Sequence, residues 1–196
     1  MSIILITMPL LLIAGDGYKI GDKADDFELK NVDETMVKLA DYPNAKGFVV
    51  VFTCNHCPFA VAYQDRIIDI DKKYKSKGYP VIAINPNDPE IVPGDSFEAM
   101  KVRAEEKGYT FPYLFDAEQE IYKTYGATRT PHVFVLQRES DKDLIVKYIG
   151  TIDDNYQNPA AVKKKYLESA LDNLLAGNDP DPAFTKAVGC TIKAKK

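Results

Sequence analysis

Five consecutive apolar residues, Phe48 to Phe52, stand out in a chain whose apolar and polar positions otherwise alternate or recur in short periods. An unbroken β-branched and aromatic run of this kind predicts a strand buried on both faces, as in a parallel sheet. Beyond it, Tyr63, Ile67, Ile70 and Tyr74 recur at helical spacing and predict a helix with one apolar face, stopped at Lys77-Gly78. Upstream, Phe27-Glu28-Leu29 and Met36 to Leu39 alternate around Asn31-Val32-Asp33-Glu34, the pattern of a β-hairpin. Downstream, Tyr79 to Asn85 predicts a second buried strand, and Asn85 to Gly94, with three prolines, a loop. Ser96 is placed to cap a helix over Phe97 to Glu106 that ends at Gly108. Phe111 to Asp116 then predicts a short strand and Glu118 to Tyr125 a short helix ended by Gly126. His132 to Leu136 and Leu144 to Ile149 are strands joined by a polar turn. Asn158-Pro159 opens a last helix carrying Val162, Tyr166, Ala170 and Leu174 on one face.

Strands alternating with helices, a terminal hairpin and a final strand pair predict an α/β domain with a mixed central sheet and helices on both faces. The 196 residues suffice for one domain burying roughly 70% of its unfolded surface. The domain is expected over 18–177, with 178–196 as a C-terminal tail. Net charge is −4 and the lysines are scattered among acids, which excludes a nucleic-acid patch. Ile3 to Ala14 is apolar apart from Thr7 and Pro9, too short to span a bilayer and of the length of a signal-peptide core. Segment 1–17 is therefore expected to direct export to the periplasm or cell envelope. The missing basic leader keeps a cytoplasmic protein with a buried first strand as the alternative. No stable membrane insertion is expected.

Three cysteines are too few for a disulfide scaffold. Two of them, in Cys54-Asn55-His56-Cys57, sit where the buried strand ends and the helix begins, with Cys54 expected exposed at the helix start and Cys57 one turn in and more buried. Orphan N–H groups and the helix dipole favour negative charge there, and a thiolate carries it. Cys-x-x-Cys beside a βαβ pattern is a redox signature. A closed zinc site needs four ligands, and His56, between the cysteines, is badly placed to join both, so no metal is expected. His56 has two readings, a turn filler or an imidazolium that favours the Cys54 thiolate; the second is preferred. Asn55 shares the modulating position between the cysteines. His132 is expected to be a satisfied strand residue. Cys190 is either buried and inert or an accessory thiol exchanging with the pair.

These residues carry a family resemblance. Gly21 to Leu29, the Cys-x-x-Cys at a strand–helix junction, and Thr130-Pro131 before the penultimate strand together resemble the thioredoxin fold. The closer likeness is to its redoxin branch, the alkyl-hydroperoxide-reductase/thiol-specific-antioxidant proteins, over about Tyr18 to Leu175. The resemblance implies a thioredoxin-like fold, a cis Pro131 facing the cysteines, and Thr130 backbone groups able to pair with an extended substrate. It implies that Cys54 attacks a substrate disulfide and Cys57 resolves it, with no cofactor beyond the redox-active disulfide. Partners would be protein or small-molecule thiols and disulfides and an unidentified redox protein. Two departures matter. Phe48 stands where thioredoxins keep a buried carboxylate, so the proton acceptor is unassigned. The peroxiredoxin threonine spacing is absent, which ranks a thiol peroxidase second. A redox-inactive thioredoxin-like binding domain is the third alternative.

Overall fold

The computed structural model describes residues 17–140 and 143–195. The apolar stretch Ile3 to Ala14 lies outside them. The strands are β1 (Lys23–Ala24), β2 (Glu28–Asn31), β3 (Met36–Lys38), β4 (Gly47–Phe52), β5 (Val81–Asn85), β6 (Tyr113–Phe115), β7 (Arg129–Thr130), β8 (His132–Ser140), β9 (Asp143–Gly150) and β10 (Cys190–Thr191). The helices are α1 (Pro58–Tyr74), α2 (Phe97–Lys107), α3 (Ile121–Tyr125) and α4 (Tyr166–Leu175). Eight strands form one mixed sheet in the order β1-β9-β8-β4-β5-β6-β2-β3. Strands β4, β5 and β6 run parallel, and the other pairings are antiparallel.

Strand β4 lies at the centre because its composition can be buried twice. Phe48, Val50 and Phe52 face one apolar cluster with Tyr125 of α3 and Phe134. Val49 and Val51 face the other, built from α1, α4 and Met100 of α2. Each fully buried side chain of this kind contributes roughly 1.5–3 kcal/mol relative to exposure. The expected helical face of α1 is the buried one, with Tyr63, Ile67, Ile70 and Tyr74 all in the second cluster. Ser96 caps α2 by accepting the Ala99 N–H, and Gly108 ends that helix at φ 59°, a left-handed position that suits glycine.

The last helix starts later than its sequence signal. Asn158 does cap a turn, accepting the Ala160 N–H, but the turn is a single 3-10 turn, Pro159–Ala161. The backbone then runs on with Asp154 accepting from Lys163 and donating to Lys164, and α4 opens only at Tyr166, without Val162. The stretch after Asn178 does not hang free. Ala183 and Thr185 bond to Ile149 on β9, Ile192 donates to Thr128, and Lys193 pairs with Asp88 and Asn87. Between these anchors β10 pairs antiparallel with β7, Cys190 opposite Thr130. No helix among the described residues is long and apolar enough to cross a membrane.

Candidate active site

The end of β4 delivers Thr53 and Cys54 directly beneath the Thr130-Pro131 bend, whose peptide bond is cis. Cys54 Sγ lies 3.2 Å from Thr130 Oγ1, and Cys57 Sγ lies 3.1 Å from the Thr130 carbonyl oxygen. Both cysteines therefore converge on one residue 73 positions or more away in sequence. Helix α1 begins at Pro58, a residue suited to the first helical position, with Cys57 as its N-cap. This corrects the expected placement, in which Cys54 started the helix and Cys57 lay a turn inside.

Cys57 forms a disulfide with Cys190, 133 residues later, and Cys54 is the free thiol. Sequence reasoning paired Cys54 with Cys57 and left Cys190 open; in this state Cys57 is joined to Cys190 instead. Cys54, Cys57 and Ala60 form one buried cluster, with Phe59 and Cys190 packed on it. Cys54 is 1% exposed and Cys57 0% exposed, so the expectation of an exposed Cys54 is overturned.

A polar network lies against the pair. Asp95, wholly buried, comes from a 3-10 turn (Pro93–Asp95) in the loop between β5 and α2. Its Oδ1 accepts the Asn55 N–H at 2.8 Å. Its Oδ2 accepts from Asn87 Nδ2 at 2.8 Å and lies 2.5 Å from His56 Nδ1. Asn55 donates to the Gly94 carbonyl and accepts from the Tyr113 hydroxyl, and Asn85 Nδ2 donates to the Asp95 carbonyl. Asn55 is thereby a buried joint holding the Cys-x-x-Cys turn. His56, with 34% of its side chain exposed, is neither an isolated turn filler nor a ring devoted to Cys54, because the carboxylate holds it.

The Cys54 thiol is pushed up to about 11 by burial and then by the Asp95 charge. The Thr130 hydroxyl and the Cys57 and His56 N–H groups act in the opposite direction. The expectation of a depressed Cys54 pKa fails here because burial outweighs the donors. His132 is buried on β8, accepts the Thr128 N–H at Nδ1, and is pushed down to about 4 by burial.

Sequence reasoning missed Asp95. Its signal was available in the polar, proline-rich loop after a buried parallel strand, where the carboxyl ends of such strands build sites. Asp95 supplies a buried carboxylate of the kind missing at Phe48. Cys54, His56 and Asp95 bring three ligand atoms within 4.8 Å of one another. That is one short of a closed zinc site, and both Asp95 oxygens are already engaged.

Residues 20–149 match the model of the AhpC/TSA family. The chain is 29% identical over 150 residues to the thiol-disulfide oxidoreductase ResA of Oceanobacillus iheyensis, covering 74% of each chain. It is 39% identical to an uncharacterized conserved protein from Geobacillus kaustophilus of known crystal structure, with a TM-score of 0.82 over 90% of this chain and 93% of that one. The exposed lipoprotein thioredoxin of Streptococcus pneumoniae superposes with a TM-score of 0.50 at 23% identity, over 61% of this chain and 85% of that one, a likeness of fold.

Proposed function

Because this chain belongs to the AhpC/TSA family and has a thioredoxin-like fold, we propose that it is a thiol–disulfide oxidoreductase acting through Cys54 and Cys57. The observation that carries this reading is the convergence of both sulfurs on Thr130, beside cis Pro131. The name of the Oceanobacillus relative supports the same chemistry.

In the first step the Cys54 thiolate attacks a substrate disulfide, forming a mixed disulfide and releasing one substrate thiolate. Cys57, at the N-cap of α1, then attacks the Cys54 sulfur as its thiolate. The Cys54–Cys57 bond forms and the second substrate thiolate leaves. Two electrons pass from the protein dithiol to the substrate, and the reverse sequence oxidises a substrate dithiol. Asp95 is the buried base nearest Cys54, His56 lies between them, and Asn55 fixes the turn. The redox-active disulfide serves as the sole cofactor. Partners are protein or small-molecule thiols and disulfides, with a separate protein resetting the site. Export, which the apolar Ile3–Ala14 stretch supports, would place this chemistry where disulfides persist; fractionation finding only a cytoplasmic pool would remove that part.

The test uses glutathione disulfide and two double variants that keep one cysteine each. Cys57→Ser with Cys190→Ser should accumulate a stable mixed disulfide at Cys54. Cys54→Ser with Cys190→Ser should accumulate far less. Equal trapping by both removes the assigned roles, and no reaction of the reduced parent protein removes the oxidoreductase reading.

A further inference from the structure

Cys57 and Cys190 are joined in a disulfide, and Cys54, against the same pair, is left as the free thiol. We propose that Cys190 is a third redox residue, which takes the disulfide over from Cys54–Cys57 as its strand docks on β7, so that the tail serves as a tethered stand-in for an extended polypeptide substrate. The proposal rests on the exchange function proposed above and extends it to a third sulfur and a substrate class.

Three observations converge. First, β10 pairs antiparallel with β7, with Cys190 opposite Thr130 and Thr191 opposite Arg129. Arg129 fixes this arrangement by donating to Thr191 Oγ1 at 2.9 Å and to the Gly189 carbonyl at 3.4 Å. An edge strand offering unpaired backbone groups is where an extended peptide adds itself, and here the chain's own tail has taken the place. Second, Gly189 passes so close that a Cβ would lie 2.3 Å from the Thr130 carbonyl oxygen, a backbone atom that cannot step aside. The approach is thus built around a residue without a side chain. Third, the strap is anchored on both sides of its cysteine. Ala183 and Thr185 hold to β9, and Lys193 and Lys195 hold to the Asn87-Asp88 loop and Gln119.

The chemistry balances within the molecule. The Cys190 thiolate attacks the Cys57 sulfur of the Cys54–Cys57 disulfide. The Cys57–Cys190 bond forms, the Cys54–Cys57 bond breaks, and Cys54 leaves with the electron pair and takes up the proton that Cys190 gave to solvent. No net electrons enter or leave. Cys54 then sits protonated beneath the docked strap, its thiol pushed up by burial and Asp95, and does not attack back at neutral pH. Cys54 and Cys57 are out of solvent while Cys190 is only partly buried, so an external reducing thiol meets the Cys190 sulfur first. Reduction there frees the strap, and lifting it uncovers both the β7 edge and Cys54. The substrate that fits this edge carries its cysteine in an extended segment with a small residue just before it, as Gly189 precedes Cys190.

The experiment follows the disulfide through the full-length protein. Reduced protein is mixed with glutathione disulfide, quenched with an alkylating agent at increasing times, digested with trypsin and mapped. Cys54 and Cys57 share the peptide 47–66, whereas Cys190 lies in 187–193, so the two disulfides give different products. The expected course is Cys54–Cys57 first, then Cys57–Cys190 with Cys54 as the thiol revealed on unfolding. Cys190→Ser should stop at Cys54–Cys57. Gly189→Val, which keeps all three cysteines but cannot dock, should stop there too. A wild-type end product of Cys54–Cys57 with Cys190 free overturns the relay and leaves the oxidoreductase function standing. A Gly189→Val product identical to wild type overturns delivery by strand docking. If no disulfide forms in any of the three, both the relay and the function fall.

Discussion

Asp95 meets Cys54 across a single imidazole. Its Oδ2 lies 2.5 Å from His56 Nδ1, and the same nitrogen is 3.8 Å from Cys54 Sγ. One ring edge cannot serve a carboxylate at close range and also be dedicated to a thiolate. The carboxylate, closer and held by two further donors, takes it. Cys54 is therefore governed less by a cation than by burial and a neighbouring negative charge.

A thiol pushed up to about 11 is fully protonated at neutral pH. In protein locked as Cys57–Cys190, thiolate absorbance should rise only well above the free-thiol range, with a midpoint near 11. Asp95→Asn should lower the midpoint while leaving it above a free cysteine, because burial is the larger cause. A midpoint below the free-thiol value would show that the site activates Cys54 even when covered.

Peroxide should be a poor oxidant of this protein. The thiolate reacts with both oxidants, but the threonine spacing that serves a peroxidatic cysteine is absent here, since Thr53 adjoins Cys54. Stopped-flow measurements should show reaction with hydrogen peroxide lagging behind exchange with disulfides. Rapid, saturating peroxide turnover would move the thiol-peroxidase alternative to first place.

His132 gives a separate pH signature. Burial pushes its imidazole down to about 4, below its value in the unfolded chain. The stability contributed by the neutral ring is complete above the ordinary histidine range and is lost as pH falls through about 4. NMR titration of the ring should give a midpoint near 4, and His132→Phe should flatten the acid limb of stability. A midpoint near 6.5 would mean the ring is not buried as described.

Asp71 holds the start of β5. It is 1% exposed, accepts the Val81 N–H at 3.0 Å through Oδ1, and accepts the Thr110 hydroxyl at 2.7 Å through Oδ2. Asp71→Ala leaves a buried N–H unpaired and should cost about 1–3 kcal/mol. The urea midpoint should fall with an unchanged slope; an unchanged midpoint would show that solvent takes over the N–H.

What the sequence disclosed follows the range of the interactions. The central strand, the face of α1, the Ser96 cap and the cysteine turn are set by residues within a few positions of one another. Asp95 bonds to Asn55 from 40 positions away, and Cys190 reaches Cys57 from 133. No periodicity encodes such meetings, and β10, two residues long, is too short to leave an alternation. The late start of α4 is a different failure. The Asn158-Pro159 signal was correct for a turn, but Asp154 recruits the following lysines before a second turn forms.

The 133 positions between Cys57 and Cys190 also order events in time. A ribosome adding about 5–20 residues per second needs roughly 7–27 s to travel from one to the other. Throughout that interval the nascent chain holds Cys54 and Cys57 without Cys190 and the strap that carries it. Among these three cysteines, an intramolecular disulfide formed in that interval can join only Cys54 to Cys57, and the bond to Cys190 must come later. Newly made and mature molecules would then differ in their redox partners while sharing one sequence.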